Sequence, residues 1–444
     1  MMKKSMAAAI VVFFVIAGLS AQDLPDQAKA LATDLFARQL EKVTPRFNDR
    51  MAAGLPPDKL AALIDDLLAK TGPLRAIQGT HAEEVPGYRV IFVTCQFEKA
   101  SLDLRLVFDP EGRVAGMFFV PSQPREVWSA PDYAAPGSFQ ERDVTVVSGR
   151  YQLPGTLTLP PGAGPFPAVA LVHGSGPHDR DETIGPNKPF KDLACGLAAR
   201  GVAVLRYTKR TYRMAELKEP LPQLFTVNEE TVEDARAAAT LLAATESIDR
   251  KRIYVLGHSL GGMLAPRIAE GDAQIAGLIL LAGSTRPLVE SILEQLKYLA
   301  GLPGTDAAAV QKQIQAATEA AARIQDPALE PTAMIDLIGS RIPGSYFLDL
   351  RKYHPAETAA RLKIPMLILQ GERDYQVTVK DFEGWQAGLK GRSGVTFRTY
   401  PGLTHLFMTS LAPGDSPGTP QDYARLGHVA PSVIADIATW IQKQ

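Results

Sequence analysis

The segment Gly257-His258-Ser259-Leu260-Gly261 has the residue types and spacing of a serine nucleophile held in a tight turn. It follows the apolar run Arg252–Leu256 and precedes residues with helical spacing, so the sequence predicts a strand, a turn and a helix. Such a turn crowds the serine backbone, and the residues two before and two after must lack a bulky Cβ. The turn would lift the Ser259 hydroxyl above a sheet, where a base can reach it. A glycine-rich loop with an incidental serine is the alternative.

Two further residues complete a predicted Ser-Asp-His triad with Ser259. Asp374 follows the apolar run Ile364–Leu369 and therefore lies just past a predicted buried strand. His405 comes shortly after the alternating segment Val395–Tyr400, which predicts the next strand. Because the carboxyl ends of parallel strands meet at one edge of a sheet, we expect the three side chains to lie together. His405 would act as general base, and Asp374 would fix its tautomer.

Other residues compete for the roles of acid and base. Glu372 shares the loop of Asp374, whereas Asp349 precedes the strand instead of following it. The other candidate bases are His428 near the C-terminal helix, His354 before Pro355, and His81 in the N-terminal region. A lone histidine or carboxylate is usually structural, so the joint placement of Ser259, Asp374 and His405 favours these three for catalysis.

The turn after another predicted strand is suited to stabilising an oxyanion. The apolar run Ala168–Val172 opens into His173-Gly174-Ser175-Gly176-Pro177. In a serine hydrolase of this arrangement, a backbone N–H here pairs with that of the residue after the nucleophile, which predicts Ser175 and Leu260 as donors. His173 and His178 have no further cysteine or histidine at ligand spacing, so the sequence favours packing roles over a metal site.

These motifs resemble the α/β-hydrolase superfamily, in particular bacterial secreted serine esterases related to dienelactone hydrolases and prolyl-oligopeptidase-like enzymes. The resemblance rests on the turn at Ser259 and on the stretches His173–Glu182, Gly185–Phe190 and Val204–Arg210. It covers roughly residues 138–444. The family implies a carboxylesterase that acts on small esters through an acyl-serine intermediate. A peptidase or an acyl-thioesterase on the same triad is the alternative, and a non-catalytic binding protein is the rival class.

Strands alternate with helices from residue 138 onward, which predicts an α/β fold with a mostly parallel sheet covered by helices on both faces. The alternation stops after Leu278–Leu281. An Ala-rich, helical segment follows, broken at Pro303, Pro327 and Pro343, and it predicts a cap inserted at about residues 286–355. Such a cap would roof the site, although a purely structural insertion is the alternative.

The N-terminal region has a different character. Helical spacing at Ala28–Phe36 and Leu60–Leu68 precedes three predicted strands, Tyr88–Phe97, Leu102–Phe108 and Val114–Val120. Residues 22–130 are therefore predicted to form a smaller α+β domain, which resembles the cystatin-like or nuclear-transport-factor-like domains fused to bacterial hydrolases. A linker rich in proline and glycine, from Pro121 through Pro131 to Pro136-Gly137, marks the boundary with the next domain. The predicted role is binding or dimerisation, with a passive folding module as the alternative.

The first 21 residues read as a cleavable signal peptide. Lys3 and Lys4 precede the apolar stretch Met6–Leu19, and small residues at Ser20 and Ala21 suit cleavage. About 14 apolar residues are too few for a membrane span, which needs ~20. The expected location is therefore the periplasm or the exterior, without stable membrane insertion after cleavage.

Composition excludes several partners. Lysine and arginine total 47 against 48 acidic residues, so the chain has no excess of positive charge that would attract nucleic acid. We expect a small-molecule ester as partner and neither cofactor nor metal, because no dinucleotide or phosphate-loop motif accompanies the triad. Arg206 and Tyr207 follow a predicted core strand and could meet the substrate, unless this loop pairs with Asp179, Asp181 or Glu182. The only cysteines, Cys95 and Cys195, are predicted to be buried free thiols.

Overall fold

The computed structural model describes residues 23–85, 88–122, 128–217, 219–303, 305 and 307–444. These residues divide into two compact units. Among the described residues, the N-terminal unit comprises 23–85, 88–122, 214–217 and 219–220, and the C-terminal unit comprises 128–213, 221–303, 305 and 307–444. None of the described helices is both long and apolar enough to cross a bilayer. The predicted signal peptide, residues 1–21, lies outside the described residues.

The N-terminal unit packs helices on a four-stranded antiparallel meander of order β1-β2-β3-β4. Its elements are α1 (Asp23–Phe36), α2 (Leu40–Val43), α3 (Asp49–Gly54), α4 (Pro57–Thr71), β1 (Leu74–Val85), β2 (Tyr88–Phe97), β3 (Ser101–Phe108) and β4 (Val114–Pro121). Leu31 of α1 and Ile64 of α4 pack in one buried cluster with Val93 and Leu104 of the sheet. The two predicted helices and three predicted strands are confirmed, whereas β1, α2 and α3 were not predicted.

The C-terminal unit is built on an eight-stranded sheet of order β14-β13-β10-β9-β7-β8-β6-β5. Its strands, with a separate hairpin of β11 and β12, are β5 (Gln140–Ser148), β6 (Tyr151–Leu159), β7 (Phe166–Val172), β8 (Ala203–Tyr207), β9 (Ile248–His258), β10 (Ile275–Leu281), β11 (Met334–Leu337), β12 (Ser340–Pro343), β13 (Met366–Gly371) and β14 (Val395–Tyr400). Strands β5 and β6 pair antiparallel to each other, and β6 pairs antiparallel to β8. The pairings from β8 through β14 are parallel, so their carboxyl ends share one edge.

Both faces of the sheet are buried along its central strands, as the α/β prediction requires. Along β7, Ala168 and Ala170 belong to one buried cluster, whereas Val169 and Leu171 belong to another. Successive side chains of a strand point to opposite faces, so the two clusters are the two sides of the sheet. The helices that begin in this unit are α5 (Pro189–Ala198), α6 (Arg210–Glu216), α7 (Glu233–Ala243), α8 (Leu260–Ala269), α9 (Leu288–Ala300), α10 (Ala307–Gln325), α11 (Gly344–Arg351), α12 (Pro355–Arg361), α13 (Val379–Gly388) and α14 (Pro431–Lys443).

The insertion between β10 and β13 is helical only in part. Helices α9, α10 and α11 agree with the predicted helical character, but the hairpin of β11 and β12 lies between α10 and α11. Its turn uses Ile338 at φ 47° and Gly339 at φ 80°, the left-handed pair that a two-residue hairpin requires. Each strand has only four residues, too few to show a clear alternation in the sequence.

The two cysteines, one in each unit, are free and buried, as predicted. Burial raises the pKa of the Cys95 thiol to about 12 and that of the Cys195 thiol to about 12. Because the thiolate is the nucleophilic form, neither residue is suited to covalent chemistry at neutral pH.

Candidate active site

Ser259 lies on a turn that only its glycine neighbours permit. It joins β9 to α8 with φ 54° and ψ −115°, a left-handed conformation that is strained for a residue with a Cβ. A Cβ on Gly257 would collide with the Gly261 carbonyl, and a Cβ on Gly261 would collide with the Val172 carbonyl. At Gly262 it would lie 2.9 Å from the Cα of Gly283. The serine is thus presented at the strand end by close backbone approach, as the sequence predicted.

Asp374 and His405 meet at the same edge of the sheet. His405 Nδ1 lies 2.6 Å from Asp374 Oδ2, and both residues are buried. The other carboxylate oxygen, Oδ1, accepts hydrogen bonds from the backbone N–H groups of Gln376 at 2.7 Å and Val377 at 3.0 Å. The carboxylate is therefore fixed on one side by backbone and aimed at the imidazole on the other. An Nδ1–H donated to Asp374 leaves His405 Nε2 as the basic nitrogen.

His258, which precedes the serine, connects the two loops. Its Nε2 lies 2.9 Å from the backbone oxygen of His405, and the two imidazole rings are 4.6 Å apart. The turn of Ser259 and the loop of His405 are thus held to each other by a direct contact. The structure brings the three predicted triad residues to one edge of the sheet, and their catalytic roles stay predictions.

The predicted oxyanion turn lies against the nucleophile. A Cβ on Gly174 would be 3.2 Å from Ser259 Cβ and 3.7 Å from Ser259 Oγ, so the backbone of this turn borders the serine side chain. Leu260 is the first residue of α8, and its N–H has no acceptor within the helix. The Gly174 N–H is engaged elsewhere, since it donates to Glu182 Oε1 at 2.6 Å. Ser175 and Leu260 therefore remain the predicted donors.

A buried pair of Glu182 and His258 links the oxyanion turn to the nucleophile turn. His258 Nδ1 lies 2.8 Å from Glu182 Oε2, and both side chains are buried, so the two groups form a buried ion pair when His258 is protonated. Burial alone would raise the pKa of Glu182, but the charge of His258 lowers it to about 2. Burial alone would lower the pKa of His258, but the Glu182 carboxylate raises it above its usual value. Sequence reasoning missed this pair, although both residues stand inside the motifs it singled out.

His173 and His178 serve the loop and are not arranged as ligands. His173 Nε2 lies 2.9 Å from the Asp179 carbonyl oxygen, and His178 Nε2 lies 2.8 Å from the Ser175 carbonyl oxygen. Burial lowers the pKa of His173 to about 3 and lowers the pKa of His178, so both rings are neutral donors. Within the described part of the chain, no cluster of three or more histidine, cysteine or acidic side chains could hold a metal ion.

Arg206 and Tyr207 are enclosed by protein. Arg206 is 2% exposed and is paired with Asp181 and Glu141, and Tyr207 is 1% exposed within the hydrophobic core. Burial would raise the pKa of Asp181, but the Arg206 guanidinium lowers it. This is the pairing with Asp181 that the sequence left open, and the prediction of substrate contact by these two residues gains no support.

The competing acids and bases have other partners. Glu372 accepts from Thr399 Oγ1 at 2.6 Å, and Asp349 forms a two-pronged ion pair with Arg267 at 2.8 and 3.0 Å. The remaining histidines lie apart: His428 faces Asp192 at 3.0 Å, His354 is the residue immediately before α12, and His81 lies on β1 in the N-terminal unit. The two acids are therefore engaged away from His405.

Comparison with known proteins agrees with this geometry. A profile of the alpha/beta hydrolase family matches residues 169–429, more than half of the chain. The chain belongs to the α/β-hydrolase family. Residues 28–117 match a second family, described as a protein of unknown function, DUF3887. The hydrolase chain is also 39% identical over 409 residues to Esterase EstD of Thermotoga maritima, covering 92% of this chain and 93% of that protein.

Solved structures with a similar fold include two esterases. Est1E from Butyrivibrio proteoclasticus has a TM-score of 0.45 and 17% identity, covering 68% of this α/β-hydrolase and 99% of that chain. The esterase domain of a Rhodothermus marinus protein has a TM-score of 0.42 and 18% identity, covering 68% of this chain and 98% of that one.

Proposed function

We propose that this protein is a serine carboxylesterase that hydrolyses small carboxylic esters through an acyl-Ser259 intermediate. The observation that carries the proposal is the left-handed Ser259 on its glycine-bounded turn, with the buried Asp374–His405 pair at the same sheet edge. The 39% identity to an esterase along nearly the whole chain supports the reaction class.

In the first half of the reaction, His405 Nε2 takes the proton of Ser259 Oγ as the oxygen attacks the ester carbonyl. Asp374 holds the Nδ1–H and stabilises the imidazolium that forms. The carbonyl oxygen becomes an oxyanion, which the N–H groups of Ser175 and Leu260 receive as the predicted donors. The imidazolium then protonates the leaving alcohol, and the acyl group stays on Ser259.

In the second half, water replaces the alcohol. His405 takes a proton from that water, which attacks the acyl carbonyl and forms a second oxyanion at the same donors. Collapse breaks the bond to Ser259 Oγ, and His405 returns the proton to the serine. One ester and one water thus give one acid and one alcohol, with the enzyme restored.

Two classes of alternative activity use the same residues in other ways. A peptidase or an acyl-thioesterase would form the same acyl-Ser259 from an amide or a thioester. A non-catalytic binding protein would leave Ser259 unreactive. Among these, the carboxylesterase is favoured because the relative of 39% identity is an esterase.

The test is labelling followed by a substrate panel. We expect a fluorophosphonate probe to label Ser259, located by mass spectrometry, and Ser259→Ala to abolish labelling. The panel compares p-nitrophenyl esters of graded chain length with aminoacyl anilides and acyl-thioesters at equal concentration. Label on a different serine would overturn the nucleophile, and faster turnover of anilides or thioesters than of esters would replace the proposed activity.

The triad as a unit has its own test. Ser259→Ala and His405→Ala should each lose nearly all turnover, and the double variant should be little worse, because triad members act in one step. The measurement is kcat/KM on one ester for the three variants. Losses that multiply in the double variant would show that the two residues do not share a mechanism.

The organisation of the chain supports a secreted enzyme of two domains, 22–130 and 138–444, with the insertion of residues 286–355 as a cap. Residues 1–21 would direct export to the periplasm or the exterior and then be removed. Mass spectrometry of the protein from a periplasmic fraction should give a mature chain starting near residue 22. An uncleaved N-terminus on cytoplasmic protein would contradict the proposed location.

A further inference from the structure

Lys209 is a buried lysine whose ammonium group is bonded to the oxyanion turn. Its side chain is 3% exposed, and Nζ donates to the Gly174 carbonyl oxygen at 2.7 Å. Nζ also lies 2.7 Å from Glu230 Oε1, and the Lys209 backbone N–H donates to the His178 carbonyl oxygen at 3.0 Å. Burying an ammonium is costly unless it is paired and hydrogen-bonded, and here one of its bonds goes to a main-chain carbonyl.

The carbonyl that Lys209 contacts belongs to the same peptide group as the Ser175 N–H. In a planar trans peptide the C=O and N–H point in opposite directions, so a donor fixed on the Gly174 oxygen fixes the direction of the Ser175 N–H. The positive charge of the Lys209 ammonium beside this oxygen also polarises the amide, which makes the Ser175 N–H a stronger hydrogen-bond donor. The preceding peptide is held as well, because the Gly174 N–H donates to Glu182 at 2.6 Å.

We propose that Lys209 is a positioning residue of the oxyanion hole. Its ammonium orients and polarises the Gly174–Ser175 peptide so that the Ser175 N–H is a strong donor when the ester oxygen gains charge. This inference rests on the proposed esterase function. It adds a charged side chain that acts through a backbone amide without touching the substrate.

Glu230, the acidic partner of Lys209, also contacts a helix of the insertion. Glu230 lies in a turn of π-helix, Asn228–Val232, and its Oε2 accepts from the Tyr346 hydroxyl of α11 at 2.7 Å. Tyr346 and Glu230 are both buried. The carboxylate is thus shared between the ammonium and the phenol, which fixes where the lysine lies.

The main experiment replaces the pair by neutral side chains of similar length, in the double variant Lys209→Met/Glu230→Gln. Activity is compared on p-nitrophenyl acetate and its thiono analogue, in which sulfur replaces the carbonyl oxygen. A developing sulfur anion is a weak hydrogen-bond acceptor, so it depends little on the oxyanion donors. We expect kcat/KM on the oxo ester to fall about 10- to 100-fold and that on the thiono ester to fall less than about threefold.

The matched control is Arg210→Met/Asp234→Asn, which removes the neighbouring buried pair. Arg210 Nε donates to Asp234 Oδ1 at 3.1 Å, and neither side chain bonds to the Gly174 peptide. We expect this variant to lose stability and to keep the oxo-to-thiono ratio of the wild type. Equal losses on both substrates in the Lys209 variant, or no loss, would overturn the inference.

A second variant keeps the lysine and does not depend on the double variant folding. In Glu230→Gln the ammonium loses the carboxylate that, together with the Gly174 carbonyl oxygen, fixes its position. The oxo-to-thiono ratio of kcat/KM should fall below the wild-type ratio, because a less firmly held ammonium orients the Gly174–Ser175 peptide less well. A ratio equal to that of the wild type overturns the inference.

Failure of the inference is distinguishable from failure of the proposed function. A wild-type protein that hydrolyses neither ester contradicts the esterase proposal itself. A wild-type protein that hydrolyses the oxo ester with an absolute need for Ser259, beside variants with an unchanged oxo-to-thiono ratio, contradicts only the role of Lys209.

Discussion

At the scale of single residues, the site is held together by backbone approaches that only glycine allows. The left-handed backbone conformation of Ser259 costs roughly 1–3 kcal/mol of strain. The strain persists because the packing around the turn allows no other backbone conformation at this residue. Gly261 packs directly on the carbonyl of Val172 at the end of β7. The strand that leads to the oxyanion turn and the helix that follows the nucleophile are thereby locked in contact.

The first prediction concerns Gly261. In Gly261→Ala the new methyl meets the Val172 carbonyl, which belongs to a central strand and cannot yield. We expect a loss of about 2–3 kcal/mol in the free energy of unfolding, together with loss of fluorophosphonate labelling. Urea unfolding and gel fluorescence measure the two effects. Gly54→Ala, where a Cβ meets nothing within 4 Å, is the control and should change neither. Normal labelling in Gly261→Ala would contradict the packing argument.

The Glu182–His258 pair makes stability depend on pH. The pKa of His258 is raised in the folded protein above its ordinary value of 6.5, so the folded state holds a proton that the unfolded state releases as pH rises. The stabilisation from this residue is therefore complete below pH 6.5 and is lost as pH climbs through the raised pKa. At the acid end, Glu182 contributes above its ordinary pKa of 4.5 and loses its contribution as pH falls towards about 2.

The second prediction follows from this loss of stabilisation as pH rises. In Glu182→Gln the carboxylate that holds the His258 proton is gone, so the protein should be about 3 kcal/mol less stable at pH 6. Its stability should also fall less than that of the wild type between pH 6 and 9. Urea unfolding at several pH values measures both. Parallel pH profiles for the two proteins would show that the pair does not carry a charge.

At the scale of elements, the sequence predicted the sheet because its core strands are continuous apolar runs with a helix after each. It missed β1, since this strand contains Gly79 and polar residues and pairs with β2 through two register shifts, at Ala76 and Gly79. The hairpin of β11 and β12 was also missed, because its strands are too short to show a period. Local pattern predicts an element well only where one face or both faces are buried along its whole length.

The same reasoning explains which site residues could be anticipated. Ser259, Asp374 and His405 each follow a recognisable strand, so their arrival at one edge of the sheet was predictable. The contacts Glu182–His258 and Lys209–Gly174 depend on how distant loops fold over one another, and no local pattern encodes them. For Arg206, burial against Asp181 was one of two stated alternatives that residue type alone could not separate.

Helix α9 is the part of the insertion that reaches the loop of Asp374. The ring of Tyr298 stacks on Tyr375 with centroids 5.5 Å apart, and Gln295 Nε2 donates to the Gln376 carbonyl at 2.9 Å. The Tyr298 hydroxyl also lies 3.0 Å from the carbonyl oxygens of both Pro417 and Gly418, and its single proton is donated to one of them or shared between them. Helix α9 is therefore held against the loop that carries Asp374.

The third prediction tests α9. In Tyr298→Ala the aromatic stack beside the acid loop is removed, and the preference among p-nitrophenyl esters of two to eight carbons should shift by about tenfold in relative kcat/KM. The physical reason is that each methylene in an apolar pocket contributes roughly 1–3 kcal/mol. The exposed Lys312 of α10 provides the control, and Lys312→Ala should leave the profile unchanged. An unchanged profile in Tyr298→Ala would make α9 a structural element only.

At the scale of the whole molecule, the residues proposed for catalysis all belong to the C-terminal unit. The segment before β5 belongs to that unit as well. Trp128 Nε1 donates to Asp192 Oδ1 at 2.8 Å, and the Tyr133 hydroxyl donates to the Val429 carbonyl at 2.9 Å. The predicted linker therefore contains residues that pack on the hydrolase, and a truncation has to keep them.

The last prediction compares two truncated chains, one beginning at Glu126 and the other at Ala135. Both keep every proposed catalytic residue, so both should hydrolyse short esters with kcat near that of the full chain. The shorter one loses the Trp128 and Tyr133 contacts, and Asp192 keeps only its bonds to His428 and the Val429 N–H. We expect it to be about 3 kcal/mol less stable, which lowers its melting temperature by several degrees.

The control is Trp128→Ala/Tyr133→Phe in the longer truncated chain, which should reproduce most of that loss without removing backbone. Thermal unfolding and the chain-length profile are measured on the same preparations. Equal melting temperatures for the two truncated chains would show that residues 126–134 stabilise nothing. A chain-length profile that shifts on truncation at Glu126 and not in Tyr298→Ala would transfer substrate selection from the insertion to the N-terminal unit, since removing that unit would then change which acyl chains the triad accepts.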